Sequence, residues 1–318
     1  MKEKQLIRAF APATVANVCC GFDVLGFALE NIGDEVIVQP LGKDEVIISS
    51  VTGSTQLSQN ANENVVGIIA QLMLKKSGNK NGLDIQLNKG LGIGSGLGSS
   101  AASSVAITFA VNELLGKPFS TKELIEFAME GERFASGTAH ADNVAPALIG
   151  GFTLVKSYEP LDVISIPLKA TLFCTIVHPQ VELRTSLSRN ILKQEVSLKA
   201  AVKQSGNIAG LILGLTQGDY GLIARSLNDD IIEPQRGSLI PLFYKAKQAA
   251  ISAGALGAGI SGSGPSLFAL SASQENAEKV KHAFEEIYQG TGINVHAFTS
   301  KVALQGAQLR NNLQYVSK

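Results

Sequence analysis

Between Lys89 and Ala102 the chain reads KGLGIGSGLGSSAA, with glycine at 90, 92, 94, 96 and 98 before paired serines and an alanine-rich run. Such a pattern suits phosphate binding. Glycine has no Cβ and enters positive φ freely, so consecutive amide N–H groups can converge on an anion, and a helix that follows adds the positive end of its dipole. The loop needs a strand to enter by and a helix to leave by. Leu83-Asp84-Ile85-Gln86-Leu87 alternates as a strand does, and Ala102, Val105, Ala106, Phe109, Ala110 and Leu114 form a stripe at helical spacing. A Walker A loop is excluded, because Gly98 is followed by Ser99 and Ser100 rather than by lysine. Gly96 to Ala101 satisfies the degenerate dinucleotide fingerprint G-x-G-x-x-A. The downstream acidic residues Glu113 and Glu123, however, stand at no strand end where a ribose would be read. A glycine turn that only packs is the bland alternative, and the strand-loop-helix context disfavours it.

Other polar residues lie outside this loop. His140, Asp142 and Asn143 precede the apolar run Val144 to Ala147 and the pair Gly150-Gly151. Two readings stand for them: a helix start capped by Asp142 or Asn143, or side chains turned to a substrate. Glu132, in Glu130-Gly131-Glu132-Arg133, reads by default as a solvated helix carboxylate. A lone arginine such as Arg189 or Arg236 reads by default as a solvated surface charge.

The elements that must position these groups follow from periodicity. Residues 6–10, 24–29, 35–39, 46–51 and 83–88 are predicted strands, and residues 64–76, 99–115 and 121–136 predicted helices. The turn residues Ser157, Glu159, Pro160 and Asp162 mark a composition break, and a domain boundary is placed near residue 168, giving units 1–168 and 169–318. Beyond it the order is strand 172–178, helices through 200–215 and 239–252, strands 255–260 and 266–271, helix 274–288 and strand 293–299. That is βαββαβ, the ferredoxin-like order.

Composition narrows the function classes. At 318 residues, 45% hydrophobic and 17% charged, the chain can build two cores, as an ordinary compact protein does. A formal net charge of zero provides no basic field for nucleic acid or an anionic membrane. No apolar run approaches the ~20 residues of a membrane span. Cys19, Cys20 and Cys174 are odd in number and lack C-x-x-C spacing, which points to a reducing, cytoplasmic setting with no structural metal.

The string GLGSSAA after G-x-G-S resembles the phosphate loop of the GHMP small-molecule kinases, which include galactokinases, homoserine kinases and mevalonate kinases. Ala11-Pro12-Ala13-Thr14-Val15-Ala16-Asn17, continuing to Gly21-Phe22-Asp23-Val24-Leu25-Gly26, resembles that family's first motif in the form homoserine kinases carry. Ile260-Ser261-Gly262-Ser263-Gly264-Pro265-Ser266 resembles its third. His140 to Gly151 is similar to H-P-D-N-V-A-P-A…GG, Thr185 to Leu192 to T-x-x-A-R-x-I-L-P, and Glu233 to Pro241 to E-P-x-R-x-x-L-I-P, all of that same branch.

The resemblance implies an α+β fold, with an N-terminal domain like the second domain of ribosomal protein S5, a ferredoxin-like C-terminal domain and the site between them. It implies transfer of the γ-phosphoryl group of Mg·ATP to the side-chain hydroxyl of L-homoserine, on the route to threonine, by a homodimer. Arg189 and Arg236 would then hold the substrate carboxylate, since two forked guanidinia suit a bidentate grip. Asn17 and Asp23 would hold the ammonium, Asn143 and His140 would face the hydroxyl end, and Thr185 would line the pocket. Gly92, Ile93, Gly94, Ser95, Gly96, Leu97, Gly98, Ser99, Ser100, Ala101 and Ala102 would wrap the phosphates, with Asn64 and Lys89 flanking base and phosphates. Ser100 and Glu132 would hold Mg²⁺. Asp142 is a candidate base in a reaction that needs in-line placement and charge neutralisation more than a strong base. Val15 departs from the usual serine, Cys19-Cys20 from Gly-Pro, Gly92 and Ala141 from proline, and Lys193 from the proline that ends the arginine motif. None of these removes a charged or phosphate-cradling group.

Overall fold

The computed structural model describes residues 6–310 except 93, 182 and 184, and only the backbone of 185 and 186. Ile93 and the side chain of Thr185, both expected at the site, lie outside what it describes.

Alternating apolar residues build the first sheet from β1 (Ile7–Ala16), β2 (Leu25–Pro40), β3 (Val46–Thr52) and, after helix α1 (Val65–Ser77), β4 (Leu83–Asn88). β1 and β2 pair antiparallel from Ile7↔Val38 to Ala16↔Gly26, with a register shift between Pro12 and Thr14 where proline has no N–H for the ladder. The two short strands expected at 24–29 and 35–39 are one strand of 16 residues. Helices α2 (Ser99–Leu114), α3 (Thr121–Ser136) and α4 (Ala141–Ile149) follow, then the hairpin β5 (Phe152–Tyr158) and β6 (Leu161–Ile166). One half of β2 pairs with β4 and the other with β5, so the loop regions at both ends of this strand belong to one frame. The turn residues around Pro160 thus close a hairpin of the first sheet. Ile69 and Met73 of α1, Val105 of α2, Leu124 of α3 and Val144 of α4 bury against Val36, Val38, Ile85 and Leu87 of the sheet. A Ser120–Glu123 capping box starts α3, an arrangement worth about 1 kcal/mol.

The second sheet begins at β7 (Phe173–Pro179). After it come α5 (Thr185–Asn190), α6 (Leu198–Gln217), α7 (Tyr220–Ser226), the single turn α8 (Glu233–Arg236) and a 3₁₀ turn at Gly237–Leu239. Helix α9 (Phe243–Ser252), strands β8 (Gly257–Ile260) and β9 (Leu267–Ser271), α10 (Gln274–Tyr288) and β10 (Val295–Lys301) complete the unit. The strand order β10-β7-β9-β8, antiparallel throughout, is the ferredoxin-like order. The helix expected over 239–252 starts only at Phe243, because Pro241 holds Ile240 extended (φ −108°, ψ 119°). The chain then returns to the first sheet, where β11 (Gln308–Leu309) pairs with β1.

The two sheets share a core. Phe27 of β2 stacks on Phe152 of β5 at 4.7 Å between ring centroids and meets Phe268 of β9 edge-on at 6.0 Å, among Cys174, Ile176, Leu211 and Leu215. Aromatic pairs at these spacings contribute about 1 kcal/mol each beyond burial. Above this junction the sheets diverge around a cleft.

Candidate active site

The cleft, of about 610 Å³, gathers four stretches of the first unit, within 16–23, 57–65, 89–103 and 132–143, and Arg189, Arg236, Gly262 and Ser263 of the second. One wall is the glycine loop. Gly94, Gly96 and Gly98 have φ of 71°, 76° and 64°, the left-handed region that glycine enters without penalty. Gly98 occupies the cap position of α2 and makes no side-chain cap, so the first amide N–H groups of the helix have no intrahelical acceptor and remain for an anion. A Cβ on Gly98 would stand 2.1 Å from Thr14 Oγ1 and 2.8 Å from Asn143 Oδ1, and one on Gly96 2.7 Å from the Ser261 carbonyl. These two glycines are therefore where other segments press on the loop. Thr14 N–H donates to the Leu97 carbonyl (3.1 Å), Ser261 Oγ to the Gly96 carbonyl (2.7 Å) and Ser266 Oγ to the Ser95 carbonyl (2.5 Å). The first and third motifs thus act as braces for the second. Leu97, Ala101 and Ala102 point their side chains into the cores, and neither they nor Gly92 line the cleft.

Lys89 and Asn64 have structural partners as well as cleft positions. The Lys89 ammonium is buried against Asp34 and donates to the Ser99 carbonyl and hydroxyl (2.8 Å each) and to Ser103 Oγ (2.9 Å). Burial pushes its pKa down against the pull of Asp34. Asp34 also accepts from Gly90 N–H (3.0 Å) and from Ser103 Oγ (2.6 Å), so one carboxylate fastens the start of the loop to the start of the helix that ends it. Asn64 caps α1 by accepting from Val66 N–H (3.2 Å) and donates to the Ser58 carbonyl (2.8 Å).

The opposite wall brings one carboxylate and two guanidinium groups together. Asn17, Val18, Cys19 and Asp23 all have positive φ, an unfavourable run for residues with side chains, and the loop they form thrusts Phe22 and Asp23 into the cleft. Cys19, in the place where the resemblance has glycine, adopts a glycine-like φ of 58°. Asn17 fixes the loop by accepting from Asp23 N–H (3.0 Å) and donating to the Gly262 carbonyl (2.7 Å). Arg189 forks onto Asp23 through two bonds of 2.9 and 3.0 Å. Arg236, 3% exposed, donates to the Ser188 carbonyl (2.8 Å) and the Gly262 carbonyl (3.3 Å) and lies 5.0 Å from the Phe22 ring. It has no carboxylate partner among the described residues. Burial and the neighbouring Arg189 depress its pKa to about 10.

At the junction of the walls stand His140, Asp142 and Asn143. The helix starts at Ala141 with His140 in the cap position and no side-chain cap bond, so neither Asp142 nor Asn143 is its cap. Pro146 removes the N–H that would meet the Asp142 carbonyl, and that carbonyl instead abuts Gly26, where a Cβ would stand 1.8 Å from it. Asn143 Oδ1 accepts from Thr14 Oγ1 at 2.7 Å, which leaves its amide hydrogens for the cleft. Asp142 is buried with Oδ1 unpartnered, and burial, then the charges of Asp23 and Glu132, push its pKa to about 7. His140, 3.7 Å from Asp23, is held toward its neutral form by burial.

Glu132 is not the solvated carboxylate that its surroundings in sequence suggest. It is 7% exposed, its Oε1 has no hydrogen-bond partner, and burial drives its pKa to about 7 against the pull of Ser100 and Lys89. An orphaned buried carboxylate beside a serine at the phosphate loop fits Mg²⁺, which takes one or two protein oxygens and completes its shell with water and phosphate.

Sequence reasoning missed Asp34, Ser103 and Tyr158. Tyr158 donates to the Asp23 carbonyl (2.9 Å) and accepts from Ala141 N–H (3.3 Å), tying the strained loop to α4. Asp34 reads as the start of a strand and Tyr158 stands among turn residues, and no local signal marks either for the site.

Comparison with known proteins agrees with this geometry. Residues 64–151 match the family model described as GHMP kinases N terminal domain, and residues 211–290 that described as GHMP kinases C terminal. The chain is 45% identical over 316 residues to a homoserine kinase of Chlorobium phaeobacteroides, covering 95% of this chain and 99% of that one. It is 39% identical to the homoserine kinase of Arabidopsis thaliana, covering 96% and 85%. The crystal structure of homoserine kinase from Cytophaga hutchinsonii superposes with a TM-score of 0.93 at 50% identity, covering 98% and 99%. The chain belongs to the GHMP kinase family, on its homoserine kinase branch.

Proposed function

We propose that this cleft transfers the γ-phosphoryl group of Mg·ATP to the side-chain hydroxyl of L-homoserine, giving O-phospho-L-homoserine for threonine synthesis. The protein is an ATP-dependent kinase of the homoserine kinase type, and the observation that carries the acceptor assignment is the buried guanidinium of Arg236, without a carboxylate partner among the described residues, near the Asp23–Arg189 pair. An α-amino acid presents adjacent opposite charges, and here the Arg236 guanidinium stands near the Asp23 carboxylate. Arg236 with Arg189 would take the carboxylate, and Asp23 with Asn17 the ammonium. The acceptor side chain would then extend toward Asn143, whose amide can donate to the hydroxyl oxygen and hold it in line. The amides of the glycine loop and the first turn of α2 would receive the triphosphate. Ser100 and Glu132 would hold Mg²⁺, which when bound neutralises charge developing on the phosphate oxygens. Asp142, buried with Oδ1 unpartnered and its pKa pushed up to about 7, would accept the hydroxyl proton as the O–P bond forms. We also read the protein as a cytoplasmic homodimer, on the resemblance alone.

The test is coupled ADP release with Mg·ATP and L-homoserine against D-homoserine, L-serine, mevalonate and no acceptor, with Arg189→Leu alongside. Turnover confined to L-homoserine and lost in the variant is expected. ADP release with mevalonate and none with homoserine would overturn the assignment.

A further inference from the structure

We infer that Gln204 is a positioning residue that sets the distance between the two halves of the amino-acid grip. Gln204 lies on α6, a helix with no residue in the cleft, yet its side chain is 6% exposed in a part of the helix otherwise facing water. Its Nε2 donates to the Cys20 carbonyl (3.0 Å) and to Asp229 Oδ1 (3.0 Å), and its Oε1 accepts from Asp230 N–H (3.1 Å). Both amide hydrogens and the carbonyl are thereby used. The Cys20 carbonyl belongs to the strained loop that carries Phe22 and Asp23. Asp229 builds the turn that carries Arg236, accepting from the N–H groups of Ile231, Ile232 and Glu233 at 2.9 Å each. One side-chain amide therefore spans the segment proposed to hold the ammonium and the segment proposed to hold the carboxylate. Neither segment is regular structure at that point, and the loop of Cys20 includes left-handed residues that would relax without support. A hydrophobic residue at 204 would leave the buried Cys20 carbonyl and the part-buried Asp230 N–H without this partner and free the two segments to shift.

The inference rests on the substrate assignment above and predicts a selective defect. Steady-state kinetics of Gln204→Leu, Gln204→Glu and Gln204→Asn with Mg·ATP and L-homoserine should show KM for homoserine raised about 10- to 100-fold, least in the shorter amide, since misplacement by about 1 Å costs on that order. KM for ATP should stay within about twofold, because the glycine loop shares no bond with Gln204. A circular-dichroism melt and an ATP titration accompany each variant. An unchanged KM for homoserine in the folded variants would overturn the inference. So would parallel rises in both KM values, or loss of ATP binding in all three, because either result assigns Gln204 to the fold at large. If the wild-type protein itself fails with L-homoserine, the substrate assignment falls first, and the two failures are thereby told apart.

Discussion

At Arg236 a guanidinium sits in the cleft wall with two carbonyls and an aromatic ring for company. A group so placed raises the free energy of the empty protein and lowers it once a carboxylate arrives. Arg236→Met should raise KM for homoserine by about 30-fold or more, from the ~2–5 kcal/mol attached to one partner of a buried charged pair. The same change should leave the melting temperature unchanged or higher, since it removes a buried charge that has no carboxylate partner among the described residues. Initial-rate kinetics and a thermal melt check both. Asp34→Asn should behave in the opposite way: it strands the Lys89 ammonium, and a loss of about 3 kcal/mol in a denaturant titration is expected, with KM for ATP rising as the loop stem opens. Arg236 was legible in the sequence through the motif around it. Asp34 was not, because its partners, Gly90 and Ser103, are brought to it by strand pairing and helix docking that no local pattern encodes.

The phosphate loop shows what an element adds to its residues. Gly94 has open space where a Cβ would go, while a Cβ on Gly96 meets two carbonyls of the third motif. Gly94→Ala should therefore cost only its left-handed backbone, about 1 kcal/mol, and weaken ATP binding modestly. Gly96→Ala should cost more than twice that and separate the loop from Ser261 and Gly264, which paired melts and ATP titrations would show. Equal effects of the two would contradict the bracing of the loop by the third motif. Strand 83–88 and helices 121–136 and 274–288 were read to the residue because strict alternation, capping signals or an amphipathic stripe marked their ends. In sequence the β5–β6 hairpin reads as a composition break, since its turn residues resemble a linker when its pairing with β2 is unknown. The positive φ at Val18 and Cys19 was hidden for a similar reason: neither residue type announces it, and the surrounding packing imposes it.

For the whole molecule, the cleft is a frame in which one sheet's loop and the other sheet's arginines meet above a shared aromatic core. Its two buried carboxyl groups make stability depend on pH in a definite sense. Asp142 and Glu132 both titrate near 7, well above the ordinary carboxylate range, so the ligand-free folded state binds those protons more tightly than the unfolded chain. Their contribution is fully present below about pH 4 and is lost as pH rises through about 7. Melts of the wild type should weaken between these limits relative to Glu132→Gln, by on the order of 2 kcal/mol, while the variant loses Mg²⁺-dependent turnover. The central claim, that the cleft reads both charges of an amino acid, is tested most directly by kcat/KM for L-homoserine, 4-hydroxybutyrate, which lacks the ammonium, and 3-aminopropan-1-ol, which lacks the carboxylate, in wild type and Arg236→Met. The wild type should favour homoserine over both truncated acceptors by about 100-fold or more, and Arg236→Met should lose that preference over 3-aminopropan-1-ol while keeping its rate with that alcohol. An Arg236→Met variant that slows with homoserine and 3-aminopropan-1-ol alike, or with neither, would contradict the account.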